Sequence, residues 1–421
     1  MSKKNNNQIK NTFNFLFRDY QLKAIKTSTQ HSKGQFLFPT GSGKTAMQAG
    51  TFIEHINNSP GFGVYVVVAP TIALVNQHSG NYIDHFITEN IDSTYCLVHS
   101  GTSSVADEKA EKFHAAGLQP QRKIRPTTDA SKIQEYIESA KSKNNPVVIF
   151  STYHSMELVK EALDNLDGLK GEVLIADEAH YATQLEFNRK VSDFPYKKFF
   201  SYTATARNSD NPNPNVSLFM DNVQTFGPVL SKMTPNEASK RGFVVPPSLI
   251  FFKTDVPAEH SQIDDNFPLF VKEMVEKAQE VLNEDCLRRG VPPAGVKMLI
   301  AAEGTSDIRK FQLSDHQAGI VKAGCNTFTI ESLNTGPGTG ARFNGKPVTS
   351  DSFFKHAEEK FGNYEDQCVA IHYDMLTEGI DLSGFNFFVP WRSSLSQSSF
   401  AQNAGRCCRL LKEDNEKILS G

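Results

Sequence analysis

Tryptophan occurs once and cysteine six times in 421 residues. The cysteines stand at 96, 286, 325, 368, 407 and 408, with no C-x-x-C pair and no histidine cluster at zinc-ligand spacing nearby. That scatter excludes a zinc framework, and the expectation is reduced thiols in a cytoplasmic, intracellular compartment. No apolar run approaches the roughly 18 residues of a membrane span. The opening Met-Ser-Lys-Lys-Asn-Asn-Asn-Gln lacks the apolar core of a signal peptide, so 1–11 reads as a disordered lead. Neither sign of charge dominates: 44 Lys and Arg face 47 Asp and Glu, a net charge of −3. No global basic field announces nucleic acid, yet a protein that grips a phosphate backbone through hydroxyls, amides and loops needs only a local basic strip. There is no internal repeat by direct identity and no P-D…(D/E)-x-K nuclease pattern.

One glycine is also missing from an otherwise telling stretch. Residues 35–45 read Gln-Phe-Leu-Phe-Pro-Thr-Gly-Ser-Gly-Lys-Thr, with Phe38 where the pattern G-x-x-x-x-G-K-[ST] has its first glycine. The apolar Phe36-Leu37-Phe38 predicts a strand, and 45–55 predicts a helix. Strand, glycine turn and helix in that order are the context a phosphate-binding loop requires. Successive backbone N–H groups ahead of a helix N-terminus make a concave anion site. The residues of that site are Thr40, Gly41, Ser42, Gly43, Lys44 and Thr45. Gly41 and Gly43 relieve the backbone of Cβ clashes. Lys44 reaches terminal phosphates, and the Thr45 hydroxyl can ligate Mg²⁺. The bland alternative is an ordinary Gly-Ser turn. The apolar lead and the T-G-S-G-K-T string favour a nucleotide.

Further along, short β-rich runs alternate with helical segments. A helix is expected over 13–28, with Phe13, Phe17, Leu22 and Ile25 buried. The runs 64–69, 147–153, 173–180 and 198–206 are strands buried on both faces, 93–98 a weaker strand, and 107–125 a charged surface helix and loop. Helices are expected from Pro70 onward and over 133–143. A capped helix starts at Thr234. A second series follows, with helices over 267–289, 306–324, 350–361 and 398–409. Its strands are expected over 297–302, 327–332, 367–372 and 386–390. Alternation of this kind predicts an α/β protein of two tandem doubly wound parallel sheets. The expected boundaries are 12–228 for the first domain, 229–247 for a linker and 248–421 for the second.

Three small constellations sit on this frame. Asp177-Glu178 ends the apolar strand, at the sheet edge that also carries the phosphate loop. An Asp there can hold the Mg²⁺ shell, and the adjacent Glu can polarise water. Arg406 and Arg409 stand at i and i+3, on one helix face, and suit the charge of a transferring phosphoryl group, although two solvated surface arginines fit equally well. Arg18 and Gln21 precede the loop; a Gln amide can pair with the N6/N7 edge of adenine, although taken alone a polar surface residue on a helix is the better reading.

In their order along the chain these stretches resemble the superfamily 2 helicases and translocases. Residues 17–21 look like the adenine-recognition element, 39–45 motif I, 70–77 motif Ia and 151–154 the strand-end threonine motif. Asp177-Glu178-Ala179-His180 looks like a DEAH motif II and Thr203-Ala204-Thr205 like motif III. Residues 299–303 resemble motif IV weakly, 377–382 motif V and Gln402 to Arg409 motif VI. Thr-Glu-Gly-Ile-Asp-Leu at 377–382 and Gly242-Phe243-Val244-Val245 lean toward restriction-enzyme motors, repair translocases and phage helicases. The resemblance implies two RecA-like lobes with ATP between them. Lys44, Thr45, Asp177 and Glu178 would come from one lobe, and Gln402, Arg406, Arg409, Gly379 and Asp381 from the other. It also implies nucleic-acid contacts or coupling roles for Pro70, Thr71, Thr152, Tyr153, His180, Thr203, Thr205 and Thr377, with DNA favoured over RNA. Only twelve residues follow Arg409, short for the end of a second lobe, so either a trimmed lobe or a fragment is expected.

Overall fold

The computed structural model describes residues 13–103, 105–118, 124–208, 219–245, 248, 250, 260–331, 340–373, 384–391 and 397–408. Packing divides the chain into two units whose boundary falls between Glu237 and Ala238. The first runs α1 (Asp19–Thr29), β1 (Lys33–Leu37), α2 (Lys44–Asn58), β2 (Gly63–Ala69), α3 (Ile72–Thr88), β3 (Thr94–Val98), α4 (Val105–Ala115) and β4 (Pro126–Thr127). It continues with α5 (Ala130–Ser142), β5 (Pro146–Thr152), α6 (Met156–Asp164), β6 (Gly171–Asp177), a 3-10 turn (Ala179–Thr183), α7 (Leu185–Ser192) and β7 (Tyr196–Thr203). Then come α8 (Val223–Phe226), β8 (Val229–Lys232) and α9 (Pro235–Lys240).

The eight strands form one sheet in the order β4-β3-β5-β2-β6-β7-β1-β8, and every pairing in it is parallel. All seven residues of β2 and of β5 are buried, as expected where helices cover both faces of a parallel sheet. The register places the C-terminal strand ends level. Leu37 lies beside Thr203, Asp177 beside Tyr202, Val68 beside Ala176 and Ala69 beside Thr152. Whatever follows β1, β2, β5, β6 and β7 therefore emerges at one edge, where ligands of open α/β sheets bind.

Two expectations change here. The helix expected over 13–28 begins only at Asp19, because the Gln21 side chain accepts from the Arg18 backbone N–H (2.9 Å) and fixes Arg18 as an extended N-cap. Phe13 and Phe17 are buried nonetheless, packed edge to face at 5.0 Å. Residues 229–232, expected within a linker, add strand β8 to the first sheet beside β1. Gly227 makes that approach possible: its φ is +74°, and a Cβ there would come within 2.7 Å of the Gly34 backbone. Gln35 ties the same crossing, its Nε2 donating to the carbonyls of Met220 and Gly227, both at 2.8 Å. The Thr234–Glu237 capping box is present, with Glu237 N–H donating to Thr234 Oγ1 (3.2 Å) and Thr234 N–H to Glu237 Oε2 (2.8 Å).

The second unit contains α10 (His260–Arg289), β9 (Lys297–Ala301), α11 (Thr305–Gln312), α12 (Asp315–Lys322), β10 (Cys325–Ile330), β11 (Arg342–Phe343), β12 (Lys346–Pro347), α13 (Ser350–Gly362), β13 (Gln367–His372), β14 (Phe387–Pro390) and α14 (Gln397–Cys407). Its six strands are ordered β12-β11-β10-β13-β9-β14. This sheet is mixed, where an all-parallel one is expected: the hairpin β11–β12 joins β10 antiparallel. The helix expected over 306–324 is two helices, because Ser314 accepts from Gln317 N–H (3.1 Å) and starts a new one. The core is aromatic, with Phe328, Phe353, Phe361 and Phe385 on one face and Phe267, Phe311 and Trp391 on the other.

Candidate nucleotide site

The loop between β1 and α2 is shaped by its glycines. Gly41 and Gly43 have φ of +82° and +76°, and Gly43 is the N-cap of α2. A side chain at Gly43 would meet Gln21 Nε2 at 2.5 Å. The loop is also tied from within and from α1. Ser42 Oγ donates to the Pro39 carbonyl (2.7 Å), while the Ser42 carbonyl accepts from Tyr20 OH (2.5 Å) and Gln21 Nε2 (3.1 Å). Gln21, expected to read adenine, thus has its amide oxygen on Arg18 and its amide nitrogen on the phosphate loop. Arg18 is half-buried and reaches Tyr20 OH at 3.4 Å. The Lys44 ammonium lies 3.5 Å from the Phe38 carbonyl. Gly41 is exposed, and Thr40, Gly43, Lys44 and Thr45 are half-buried.

Asp177 closes β6 at the same edge and is only 4% exposed. Both carboxylate oxygens are engaged: Gln48 Nε2 donates to Oδ1 (2.6 Å) and His78 Nε2 lies 3.1 Å from Oδ2. The Tyr153 hydroxyl donates to the Asp177 carbonyl (2.9 Å). Burial pushes the Asp177 carboxyl upward, but His78, Lys44 and Gln48 more than offset it and hold it below the usual carboxylate range. A carboxylate kept ionised in a dry setting, with the Thr45 hydroxyl at the start of α2, offers hard oxygen donors. That donor set fits Mg²⁺, which takes one or two protein ligands and completes its shell with water and phosphate. The left-handed glycines and the α2 N-terminus fit phosphate.

Glu178 departs from the strand at φ +45°, ψ +50°, an uncommon conformation for a residue with a side chain. Its carboxylate turns toward the end of β7. Thr203 Oγ1 donates to Glu178 Oε2 at 3.4 Å, and His180 Nδ1 lies 3.5 Å from the same oxygen. His180 Nδ1 is also 3.0 Å from Thr203 Oγ1 and 3.3 Å from Thr205 Oγ1. His180 and Thr203 are buried. The motif II and motif III residues therefore form one connected polar group.

The residues expected to touch nucleic acid behave unequally. Thr71 is the N-cap of α3, accepting from Leu74 N–H (3.2 Å), and Pro70 and Thr71 are half-buried at the sheet edge. Thr152 is 5% exposed and caps its own turn, accepting from Ser155 N–H (3.2 Å). Tyr153 has no exposed surface at all, so it is a core residue that props up Asp177 and not a nucleic-acid contact. In the second unit Arg406 lies in α14 and is 3% exposed, which removes the reading of a solvated surface arginine. Gln402 also lies in α14. Thr377, Gly379, Asp381 and Arg409 fall outside the described residues, as does 1–11.

Sequence reasoning missed Gln48, His78 and Tyr82. The faint signal was spacing: Gln48 stands one helical turn after Lys44, and His78 and Tyr82 are four apart on α3.

Residues 14–208 match the family described as "Type III restriction enzyme, res subunit". No curated protein matches the chain by sequence. Among solved structures it is similar to an ATP-dependent Type ISP restriction-modification enzyme, LlaBIII, bound to DNA. The TM-score is 0.65 at 18% identity, over 95% of this chain and 27% of that one. It is also similar to the Escherichia coli DEAH/RHA helicase HrpB, with TM-score 0.54 at 13% identity over 94% and 43% of the two chains. A third is Mss116p bound to ssRNA and AMP-PNP, with TM-score 0.52 at 15% identity over 93% and 67%. These likenesses establish the fold, two RecA-like α/β sheets. The chain spans about a quarter of the length of LlaBIII. No helix among the described residues is long and apolar enough to cross a membrane.

Proposed function

We propose that the chain is a nucleic-acid-stimulated ATPase, a helicase or translocase that acts on DNA in preference to RNA. The observation that carries this reading is the convergence on one sheet edge of the Gly41–Thr45 loop, Asp177-Glu178 and the His180–Thr203–Thr205 group. The loop amides and Lys44 bind the phosphates. Thr45 and Asp177 would hold Mg²⁺, which would supply neutralisation of the phosphate charge. Glu178, bent out of β6, orients the attacking water, and its link through Thr203 to Thr205 couples the hydrolytic carboxylate to the neighbouring strand end. Arg406, with Arg409, takes the charge that develops on the transferred phosphoryl group. Replacing Arg406 by Ala then removes turnover and spares ATP binding; equal loss of both refutes the role. Pro70, Thr71 and Thr377 take the nucleic-acid backbone without reading bases.

The test is steady-state ATPase with duplex DNA, single-stranded DNA or RNA added, alongside a strand-separation assay. Stimulation, greatest with DNA, is expected. Hydrolysis indifferent to every polynucleotide overturns the proposal. A second reading follows from the restriction-subunit family match over 14–208: a motor that translocates for a separate nuclease without unwinding. Stimulated hydrolysis with no strand separation favours it.

A further inference from the structure

Behind Asp177 lies a closed ring of buried polar side chains drawn from three elements. His78 and Tyr82 come from α3, Gln48 from α2 and Asp177 from the end of β6. All four are buried. His78 Nε2 lies 3.1 Å from Asp177 Oδ2, Gln48 Nε2 donates to Asp177 Oδ1 at 2.6 Å, and Tyr82 OH donates to Gln48 Oε1 at 3.0 Å. The ring closes through an imidazole stacked on the Tyr82 phenol, 6.1 Å between centroids and 14° between planes. Burial, with Asp177 and Tyr202 nearby, pushes the Tyr82 hydroxyl far up, so it remains a donor.

The direction of each bond can be read from donor chemistry. An ionised carboxylate only accepts, so Nε2 of His78 carries a hydrogen and donates it. Nδ1 of His78 has no hydrogen-bond partner among the described residues. The bond to Asp177 is therefore the one polar anchor of that imidazole and the direct contact between α3 and the carboxylate, while the Tyr82–Gln48 path is indirect. The N-terminus of α3 is Thr71, seven residues before His78 and thus about two helical turns away. A shift of α3 along its axis would move His78 with it, because a helix transmits displacement as a rigid element.

We propose that His78 is the positioning residue that couples nucleic acid at the α3 N-terminus to the metal-holding carboxylate Asp177. This rests on the proposed function above for the assignments of Thr71 and Asp177. In the unliganded chain the ring holds both carboxylate oxygens on protein donors. Nucleic acid at Thr71 biases α3, and His78 passes the bias to Oδ2, so metal-nucleotide affinity and polynucleotide affinity depend on each other. By linkage the effect is reciprocal.

The test is an equilibrium one, read by fluorescence without turnover. The affinity of a labelled non-hydrolysable ATP analogue is measured with and without Mg²⁺, and with and without a DNA oligonucleotide. Two variants of the full chain are compared with the parent. His78→Phe keeps a flat ring over Tyr82 and removes the donor. His78→Gln keeps an N–H donor at similar reach. In the parent the oligonucleotide is expected to tighten Mg²⁺-analogue binding by roughly fivefold or more, a typical coupling. In His78→Phe that factor falls toward one, with Mg²⁺-free analogue binding and oligonucleotide binding each unchanged; His78→Gln restores it. Full coupling in His78→Phe overturns the inference, as does loss of coupling in a folded His78→Gln. A His78→Phe chain that fails to fold leaves His78→Gln to decide by the same criterion. If the parent itself binds neither analogue nor oligonucleotide, the proposed function fails instead.

Discussion

The two units spend their buried side chains differently. In the first, polar groups reach the centre of the sheet edge: Gln48, His78, Tyr82, Asp177, His180 and Thr203 are all buried and joined by hydrogen bonds. In the second, the cores beside β9, β10 and β13 are built on stacked and edge-on phenylalanines, with Trp391 against Phe267 and Phe270. Its polar ties among the described residues include local ones, such as half-buried Gln312 to Thr329 and buried Gln317 to Thr327, and longer-range ones, such as the Lys297 N–H to Asn386 Oδ1. A satisfied polar network specifies positions at little net gain in stability, whereas aromatic burial supplies stability with less chemical consequence. The polar-network and aromatic cores are thus separated between the units, with Arg406 a buried charge of the second that the proposed chemistry uses.

That separation can be broken experimentally. Its largest expected effect is on turnover. Lys44→Ala should lower polynucleotide-stimulated hydrolysis about a hundredfold or more, as removal of a charge-stabilising group does, with the thermal unfolding profile unmoved. Retained stimulated hydrolysis would sink the assignment of the loop. Next is cohesion. Phe361, fully buried with Phe328 at 5.4 Å and Phe385 at 4.5 Å, should cost about 3–5 kcal/mol when replaced by Ala. Hydrogen exchange should speed in β9, β10 and β13 while β1, β2 and β6 hold their protection; equal loosening of both sheets contradicts separate cores.

Acid should also weaken the first unit. His55, His85 and His99 of the first unit are each lowered to about 4, chiefly by burial. A histidine whose folded pKa is depressed is neutral in the native state while the unfolded chain already binds a proton. Native stability is therefore full above about pH 6.5 and declines as pH falls from there toward 4. Urea unfolding followed through first-unit amides should show its midpoint dropping across that window, and a flat midpoint would show the three rings to be solvated. The smallest effect is expected at the boundary: Thr234→Ala removes the α9 cap and should cost about 1 kcal/mol, read as local exchange at 235–240.

What could be read from sequence was whatever repeats or runs. The continuous apolar stretches of β2, β5 and β6 predict buried parallel strands, and T-G-S-G-K-T predicts the loop between β1 and α2. Hidden were features whose meaning depends on what lies across the core. Gln48 and His78 are polar residues on amphipathic helices, and nothing local distinguishes an inward one from a solvated one. Tyr153 closes the expected strand 147–153, and nothing local shows that its hydroxyl reaches the Asp177 carbonyl, two strands away across β2. The two-residue strands β11 and β12 are too short for any periodicity to show. Residues 13–18 have the composition of a helix, but the Gln21 side chain stops helix α1 from extending back through them.

Strand β8 has a mechanical meaning. The polypeptide leaves the first unit through it, and it lies parallel to β1, the strand that ends in the phosphate loop. The Met233 N–H donates to the Leu37 carbonyl (3.0 Å), and Gln35 grips the Gly227 turn behind. Tension applied along the chain beyond Glu237 would load β8 in shear along β1 and would not peel it away one bond at a time. The covalent tether between the units is thereby a force-bearing strap fastened to the strand that leads into the Lys44 loop.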